Sequence, residues 1–198
     1  MTELTLIPDA PTFTWLDRPA EHSWRDGELT ITAGGNTDWF IDPSGSEPRA
    51  GAPLLLAPAG GPATLAATVT VGAGSLFDAG TLFVFEGTSV WGKLALERSP
   101  SGRLYLVSVI TDRVSDDANH EPVPSGTARL RIAALGSGDY AFHVADGDGW
   151  RLLRHFRLPH ANPGLGFGAQ SPTGAGCTAT FTAIEWTTQR LDDLRDGS

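Results

Sequence analysis

The sequence predicts a single all-β domain in which two antiparallel sheets pack face to face as a jelly-roll sandwich. Short runs of alternating apolar and polar residues recur from end to end, as expected for strands with one buried face. Glycine and proline, 24 and 14 of the 198 residues, separate these runs and supply the backbone angles that tight turns require. No apolar stripe with a helical period has a useful length, which disfavours a helical or mixed fold.

The predicted strands follow one another with short connections. They cover Phe13–Trp15, Leu29–Thr32, Leu65–Val71, Thr81–Phe85, Val90–Arg98, Arg103–Asp112, Ala128–Ala134, Tyr140–Ala145, Trp150–Leu158, Leu165–Gln170 and Cys177–Trp186. Residues 42–62 are rich in Pro, Gly and Ser, and we expect a long connection around Leu54–Leu56 there. We expect residues 1–188 to form one domain and residues 189–198 to form a polar tail.

Composition and charge exclude several classes of partner. The net charge is −9 with an isoelectric point near 4.9, so the surface repels nucleic-acid phosphates and anionic lipid. Cys177 is the only cysteine, so no disulfide can form within the chain. There is no leader-like apolar run and no segment that could span a bilayer. These features predict a cytoplasmic protein that binds neither nucleic acid nor membrane. The sequence has no phosphate-binding glycine loop and no zinc motif, so we predict no cofactor, and the partner we expect is a small-molecule or glycan ligand.

The hairpin built from residues 90–112 has an unusual second face. The turn Ser99–Gly102 predicts that Glu97 pairs with Leu104 and Lys93 with Ser108. One face would then be wholly apolar and belong to the core. The opposite face would mix aromatic, charged, hydroxyl and aliphatic groups, as ligand clefts do. Its members are Trp91, Lys93, Ala95, Glu97, Leu104, Leu106, Ser108 and Ile110.

The same alternation places further polar groups opposite core residues. Arg131, His143 and Gln170 each lie on the non-core side of their strand, and Gly166 and Gly168 leave room beside Gln170. If these strands are neighbours, the side chains converge with those of the hairpin in one concave cleft.

Several ordered segments form a recognisable set. They are Thr37–Phe40, Phe77–Leu82, Trp91–Glu97, Ser108–Thr111, Ser115–Asn119 and Gln170–Cys177. This set, which spans most of residues 13–186, is similar to a bacterial and fungal family called the concanavalin A-like "regulation of enolase" family. The resemblance implies a curved, concanavalin A-like jelly roll of the lectin and glucanase type. It implies little about chemistry, because the family label records a regulatory association and a shared fold does not transfer a function.

Three titratable residues are candidates for catalysis if the protein is an enzyme. Lys93 is the only lysine among 14 basic side chains, and a buried ammonium can donate a proton or hold a hydroxyl. Glu97 is a candidate general base and His143 a candidate acid or base. The structural alternatives are a buried Lys93–Glu97 ion pair, a Glu97–Arg131 pair and a hydrogen-bonded structural histidine.

The remaining candidates would bind a ligand. Trp39, Phe40 and Trp91 could stack against a sugar ring or could belong to the core. Asp78 could line the cleft mouth, as Asp38 could, or cap a turn. The segment Ser115–Asn119, with Asp116, Asp117 and Asn119, carries enough oxygen ligands for Ca²⁺, although turn capping explains it equally well and we predict no metal.

The leading functional interpretation is a domain that binds a carbohydrate or a sugar-like molecule in the cleft. Its ligand-binding residues would be Trp39, Asp78, Trp91, Ser108, Arg131 and Gln170. The first alternative is a glycoside hydrolase, lyase or isomerase that uses Glu97, His143 and Lys93 for acid–base catalysis. The second alternative is a regulatory module that binds another protein.

Overall fold

A computed structural model describes residues 3–8, 10–45, 49–72, 74–160 and 162–198. All regular structure in these ranges is strand or turn, and no helix there has the length and hydropathy needed to cross a bilayer. The strands in chain order are β1 (Glu3–Leu4), β2 (Phe13–Asp17), β3 (Glu21–Arg25), β4 (Glu28–Gly34), β5 (Asp38–Phe40), β6 (Arg49–Gly51), β7 (Leu54–Pro58), β8 (Ala63–Val71), β9 (Ala79–Gly87), β10 (Val90–Arg98), β11 (Leu104–Asp112), β12 (Val114–Pro122), β13 (Thr127–Gly136), β14 (Asp139–Asp146), β15 (Gly149–Arg157), β16 (Gly164–Gln170) and β17 (Gly176–Thr187).

The strands form two large antiparallel sheets and one small one. The front sheet has the order β1-β2-β7-β16-β9-β10-β11-β12, and the back sheet has the order β15-β14-β13-β8-β17-β4-β3. The small sheet pairs β5 with β6. Several consecutive strands belong to different sheets, so the chain crosses repeatedly from one sheet to the other, as it does in a sandwich fold. The predicted all-β, two-sheet antiparallel architecture is therefore confirmed.

The main core lies between the two sheets. Alternation along β10 turns Leu94 and Leu96 toward the back sheet, and alternation along β13 turns Leu130 and Ile132 to meet them. All four side chains are fully buried. Burial of such aliphatic side chains contributes roughly 1.5–3 kcal/mol each, so this layer supplies most of the stabilisation of the sandwich.

A second apolar layer covers the opposite, outer face of the front sheet. Trp91 of β10 and Phe83 of β9 are buried there beneath Trp39 of β5. The Trp39 ring centroid lies 6.2 Å from that of Trp91 and 6.3 Å from that of Phe83. The segment that carries β5 and β6 thus packs on the outer face and forms one wall of a depression there.

The β10–β11 hairpin has a register one residue away from the predicted one. Glu97 pairs with Tyr105 and Lys93 with Val109, because the connection contains an additional residue. Gly102 has φ +77°, in the left-handed region, and Ser99 N–H donates to the Arg103 carbonyl at 2.9 Å. A slip of one residue turns every side chain of a strand to the other face. The predicted faces are correct for β10 and wrong for β11.

Two further predictions fail because alternation reveals the face of a strand but not its sheet. Arg131 of β13 and His143 of β14 do lie opposite the core, but both strands belong to the back sheet. Their side chains therefore point to the far side of the molecule from Lys93. There the segment 189–198 packs over them, and His143 Nε2 bonds to the Leu194 carbonyl at 2.8 Å.

Candidate functional site

A pocket of about 350 Å³ opens on the outer face of the front sheet. Its lining comes from strands β5, β10, β11, β12 and β16 and from the segments that follow β5, precede β9 and follow β16. The pocket is lined by Asp38, Phe40, Asp42, Phe77, Lys93, Glu97, Val107, Val109, Asp117, Gln170, Pro172 and Thr173. Its size suits a small polar ligand.

Lys93 lies at the base of this pocket and is only 2% exposed. Its Nζ donates to Gln170 Oε1 at 2.8 Å, to the Trp39 carbonyl at 2.8 Å and to Asp38 Oδ1 at 3.1 Å. An ammonium has three hydrogens, and these contacts use all of them. The predicted buried ion pair therefore exists, but its acidic partner is Asp38 and not Glu97.

Asp38 is held in place from two directions. The same Oδ1 atom accepts the backbone N–H of Trp39 at 2.7 Å. Farther along this segment, Ile41 N–H donates to Ser115 Oγ at 2.9 Å, and Ser115 N–H donates to the Ile41 carbonyl at 2.8 Å. This link to β12 joins the segment to the edge of the sheet and helps to position Asp38 beside Lys93.

Gln170 joins the base of the pocket to its rim. Its Oε1 accepts from Lys93, and its Nε2 donates to the Phe77 carbonyl at 3.3 Å. The two bonds together fix which end of the amide faces which partner. The side chain is 3% exposed, so water competes little for these bonds.

Glu97 is a titratable group of the lining whose carboxyl is available to a ligand. Its side chain is half-buried, and burial raises the pKa of its carboxyl to about 7. Lys93 opposes this rise, while Asp38 and Asp117 add to it. Among the residues that the structure describes, none donates a hydrogen bond to Glu97. At neutral pH its carboxyl can therefore accept or donate a proton.

Of the three rings that the sequence indicates for ligand stacking, only Phe40 lines the pocket. Trp91 is fully buried and Trp39 is 3% exposed, so neither offers a face to the pocket. The indole N–H of Trp39 also donates to the Ala52 carbonyl at 3.0 Å. Phe40 lines it together with Phe77, above an aliphatic floor of Val107 and Val109.

The structure brings together only part of the predicted site. Lys93, Glu97 and Gln170 line one pocket, as expected from their alternation. Asp78 lies just behind it, fully buried, where it caps a turn by accepting from Ser75 N–H and Ser171 Oγ–H at 2.7 Å each.

Ser108, Arg131 and His143 lie elsewhere, and their predicted convergence with Lys93 is wrong. Ser108 faces the back sheet as a result of the register change and bonds to His120 Nε2 at 2.9 Å. Arg131 packs its guanidinium 4.4 Å from the Trp150 ring centroid on the outer face of the back sheet. A catalytic set of Glu97, His143 and Lys93 is not assembled.

The room beside Gly166 and Gly168 is filled by protein. A Cβ atom on Gly166 would lie 1.8 Å from the Leu55 carbonyl oxygen, and one on Gly168 would lie 2.8 Å from Thr81 Oγ1. These glycines allow close packing of the neighbouring strands, which is a structural role.

Sequence reasoning did not select Phe77 or Asp117 as lining residues. Phe77 is 36% exposed beside Leu76 in a Gly- and Ser-containing turn, and exposed apolar side chains in such a turn were the available signal. Asp117 was considered only as a calcium ligand. Alternation along β12 turns Asp117 toward the pocket and Asp116 to the opposite face, where Asp116 pairs with Arg154 at 3.1 Å. Within the described ranges, no three His, Cys, Asp or Glu residues are arranged to hold a metal ion.

Fold and site together define a class: an antiparallel β-sandwich protein with a polar pocket on the outer face of one sheet. The chain belongs to a family described as a protein of unknown function, DUF1349, whose model matches residues 15–189. No curated protein matches the sequence.

Solved structures with the same fold include one of matching length. A functionally unknown protein from Saccharomyces cerevisiae has a TM-score of 0.81 at 24% identity, with 89% of this chain and 96% of that chain covered. The GH43 protein BlXynB from Bacillus licheniformis has a TM-score of 0.71 at 13% identity. That match covers 89% of this chain but 37% of the GH43 protein. The polysaccharide lyase family 18 protein aly-SJ02 has a TM-score of 0.54 at 12% identity, covering 88% and 93%. These similarities establish the concanavalin A-like sandwich fold.

Proposed function

We propose that the pocket on the front sheet binds a carbohydrate or a sugar-like polyol that carries no negative charge. The observation that carries this proposal is the state of Lys93. Its ammonium is enclosed and fully hydrogen-bonded, so it has nothing left to offer an anionic ligand. Glu97 and Asp117 line the same pocket and repel anions.

The remaining lining suits a polyol. Carboxylate oxygens accept hydrogen bonds from hydroxyl groups, and charge-assisted bonds of this kind are stronger than neutral ones. The rings of Phe40 and Phe77 and the floor of Val107 and Val109 can receive the C–H surface of a sugar. A mixture of a few directed polar groups with an apolar surface is typical of small-molecule sites.

The structural similarities agree with this proposal. Proteins of the same fold include a GH43 protein, a xylan β-1,4-xylosidase and a polysaccharide lyase. A role in carbohydrate recognition is thus compatible with this sandwich. The "regulation of enolase" resemblance implies the protein-interaction alternative, which stays a prediction.

Calorimetric titration tests the proposal with xylotetraose and cellotetraose as neutral probes and tetragalacturonate as an anionic probe. At least one neutral probe should bind, and tetragalacturonate should bind at least tenfold more weakly. Glu97→Gln should weaken neutral binding by roughly tenfold, because it loses a charged acceptor. Glu28→Gln, an exposed substitution on the back sheet, is the control and should bind like the wild type. Binding of neither neutral probe, or preference for the anionic one, would refute the proposal.

A second candidate function rests on the pKa of Glu97 near 7. A carboxyl group that is half-protonated at neutral pH in a ligand pocket has the properties of a general acid or base. Incubation with the same neutral probes, followed by chromatography of the products, tests for hydrolysis or elimination. Activity that is abolished in Glu97→Gln would support an enzyme, whereas unchanged probes or full activity in the variant would exclude catalysis by Glu97 on them.

A further inference from the structure

The turn that precedes β9 holds a bulky residue in an unfavourable backbone conformation. Phe77 has φ +66°, in the left-handed region that favours glycine and asparagine. For a residue with a large side chain this conformation costs free energy that the rest of the fold must supply. Its ring is nevertheless 36% exposed and lines the pocket.

Surrounding hydrogen bonds determine this conformation. Phe77 N–H donates to the Arg98 carbonyl at 2.7 Å, and the Phe77 carbonyl accepts from Gln170 Nε2 at 3.3 Å. On one side, the Leu76 carbonyl accepts from Thr173 Oγ1 at 2.8 Å. On the other, the carboxylate of the fully buried Asp78 bonds back to Ser75 N–H. Contacts on both sides therefore keep Phe77 in place.

Core packing does not account for the ring. Within the described part of the chain, Phe77 makes no ring–ring contact, whereas Trp39, Phe83 and Trp91 pack on one another. A turn residue without a packing role would be expected to be glycine or asparagine at this φ. Strain that is retained where a side chain faces a pocket is typical of ligand sites.

We propose that Phe77 is the ring on which the bound sugar packs, and that the turn retains an unfavourable backbone conformation to present it at the pocket mouth. This inference rests on the proposed function and narrows its ligand class. The bound unit would be an uncharged pyranose with one C–H face free of axial hydroxyls, as in xylose and glucose units. Such a face is apolar and matches the ring.

Four variants test the inference, with the tighter of xylotetraose and cellotetraose as the probe. Phe77→Ala and Phe77→Gly both remove the ring and should weaken binding at least tenfold, as expected for loss of an aromatic contact face. Phe77→Tyr keeps the ring and should bind within threefold of the wild type. Leu76→Asn alters the neighbouring exposed side chain, which does not line the pocket, and should bind like the wild type.

Thermal unfolding of the same proteins tests the strain. Phe77→Gly should melt at least roughly 2 °C above Phe77→Ala, because glycine accepts a positive φ and alanine does not. A Phe77→Ala protein that melts above Phe77→Gly would show that no strain is stored there and would overturn the inference.

Wild-type affinity in Phe77→Gly would also overturn it, while leaving the carbohydrate proposal intact. If the wild-type protein binds neither probe, both proposals fall together.

Discussion

Lys93 Nζ lies 3.1 Å from Asp38 Oδ1, across the boundary between the front sheet and the segment that covers its outer face. The pair joins the one lysine of the chain to a residue 55 positions earlier. With the Trp39 carbonyl and Gln170, it closes a buried polar network under the pocket. Polar groups in such a network are costly to leave unpaired.

Replacement of Lys93 by methionine should therefore destabilise the protein strongly. The variant leaves the Asp38 carboxylate without its buried cation, which typically costs about 3–5 kcal/mol. Urea unfolding measures the difference. Arg113→Met is the matched control, since its pair with Asp112 is 83% and 50% exposed and should contribute at most about 0.5 kcal/mol. A loss below about 1 kcal/mol for Lys93→Met would contradict the network.

Glu97 should make the protein less stable as the pH rises from about 4.5 to about 7. The pKa of its carboxyl is about 7 in the folded protein and 4.5 in the unfolded chain, where the group is exposed to water, so the folded protein holds an extra proton in this range. Stability falls with pH when the folded state holds more protons. Glu97→Gln should thus be roughly 1–3 kcal/mol more stable than wild type at pH 8, and equal to it at pH 4.5.

Urea unfolding at pH 4.5, 6 and 8 checks this, with Glu28→Gln as the exposed control, for which we expect changes within about 0.5 kcal/mol. Parallel profiles for wild type and Glu97→Gln would show that the carboxyl is not perturbed.

His143 should have the opposite effect on the far side of the molecule. Its pKa is lowered to about 4, mainly by burial; the bond to the Leu194 carbonyl opposes this shift and the charge of nearby Arg131 adds to it. Between about pH 6.5 and pH 4 the unfolded chain takes up a proton that the folded protein excludes. Stability should therefore fall by roughly 2–3 kcal/mol as the pH drops through this range.

Removal of residues 189–198 tests whether burial causes the low pKa of His143, because this segment covers the imidazole. The shortened protein should lose most of the acid-dependent destabilisation, as water reaches the imidazole. His143→Gln in the full chain should lose it as well, and His155→Gln, at an exposed histidine, should retain it. An unchanged slope in both the shortened chain and His143→Gln would assign the effect to other groups.

Trp91 should be required for stability and not for ligand contact. Its ring is fully buried, so Trp91→Ala should cost about 3–5 kcal/mol. Trp91→Phe should cost less, since it keeps a ring between Trp39 and Phe83 and removes an indole N–H that has no acceptor among the described residues. Its affinity for the neutral probes should stay within threefold of wild type. A folded Trp91→Phe protein that cannot bind would restore Trp91 as a ligand contact.

Alternation along single strands was sufficient to predict much of the fold. It placed Lys93 and Glu97 on the same side of β10 and Gln170 on the matching side of β16, and these three do meet. It failed for β11 because a glycine in the left-handed conformation, Gly102, adds a residue to the turn. Nothing in the composition of Ser99–Gly102 distinguishes a four-residue loop from this longer connection.

The rest of the site depends on information that sequence alternation does not contain. Arg131 and His143 have the correct parity but belong to the back sheet, since strand order is set by long-range pairing. Phe77 was missed because its positive φ arises from contacts with Arg98 and Gln170, which are distant in sequence. The sequence predicts Trp39 and Trp91 at the ligand, but the two rings pack against each other. Their apolar surface is therefore already buried and does not contact the pocket.

The front sheet ends at β12, whose residues Val114–Pro122 read VSDDANHEP. Two adjacent aspartates and a terminal proline lie on the edge that would otherwise offer unpaired backbone groups to a strand from another molecule. Charge repulsion and the missing N–H of proline both oppose such addition. The strand that contributes Asp117 to the pocket therefore also opposes edge-to-edge aggregation of the sheet.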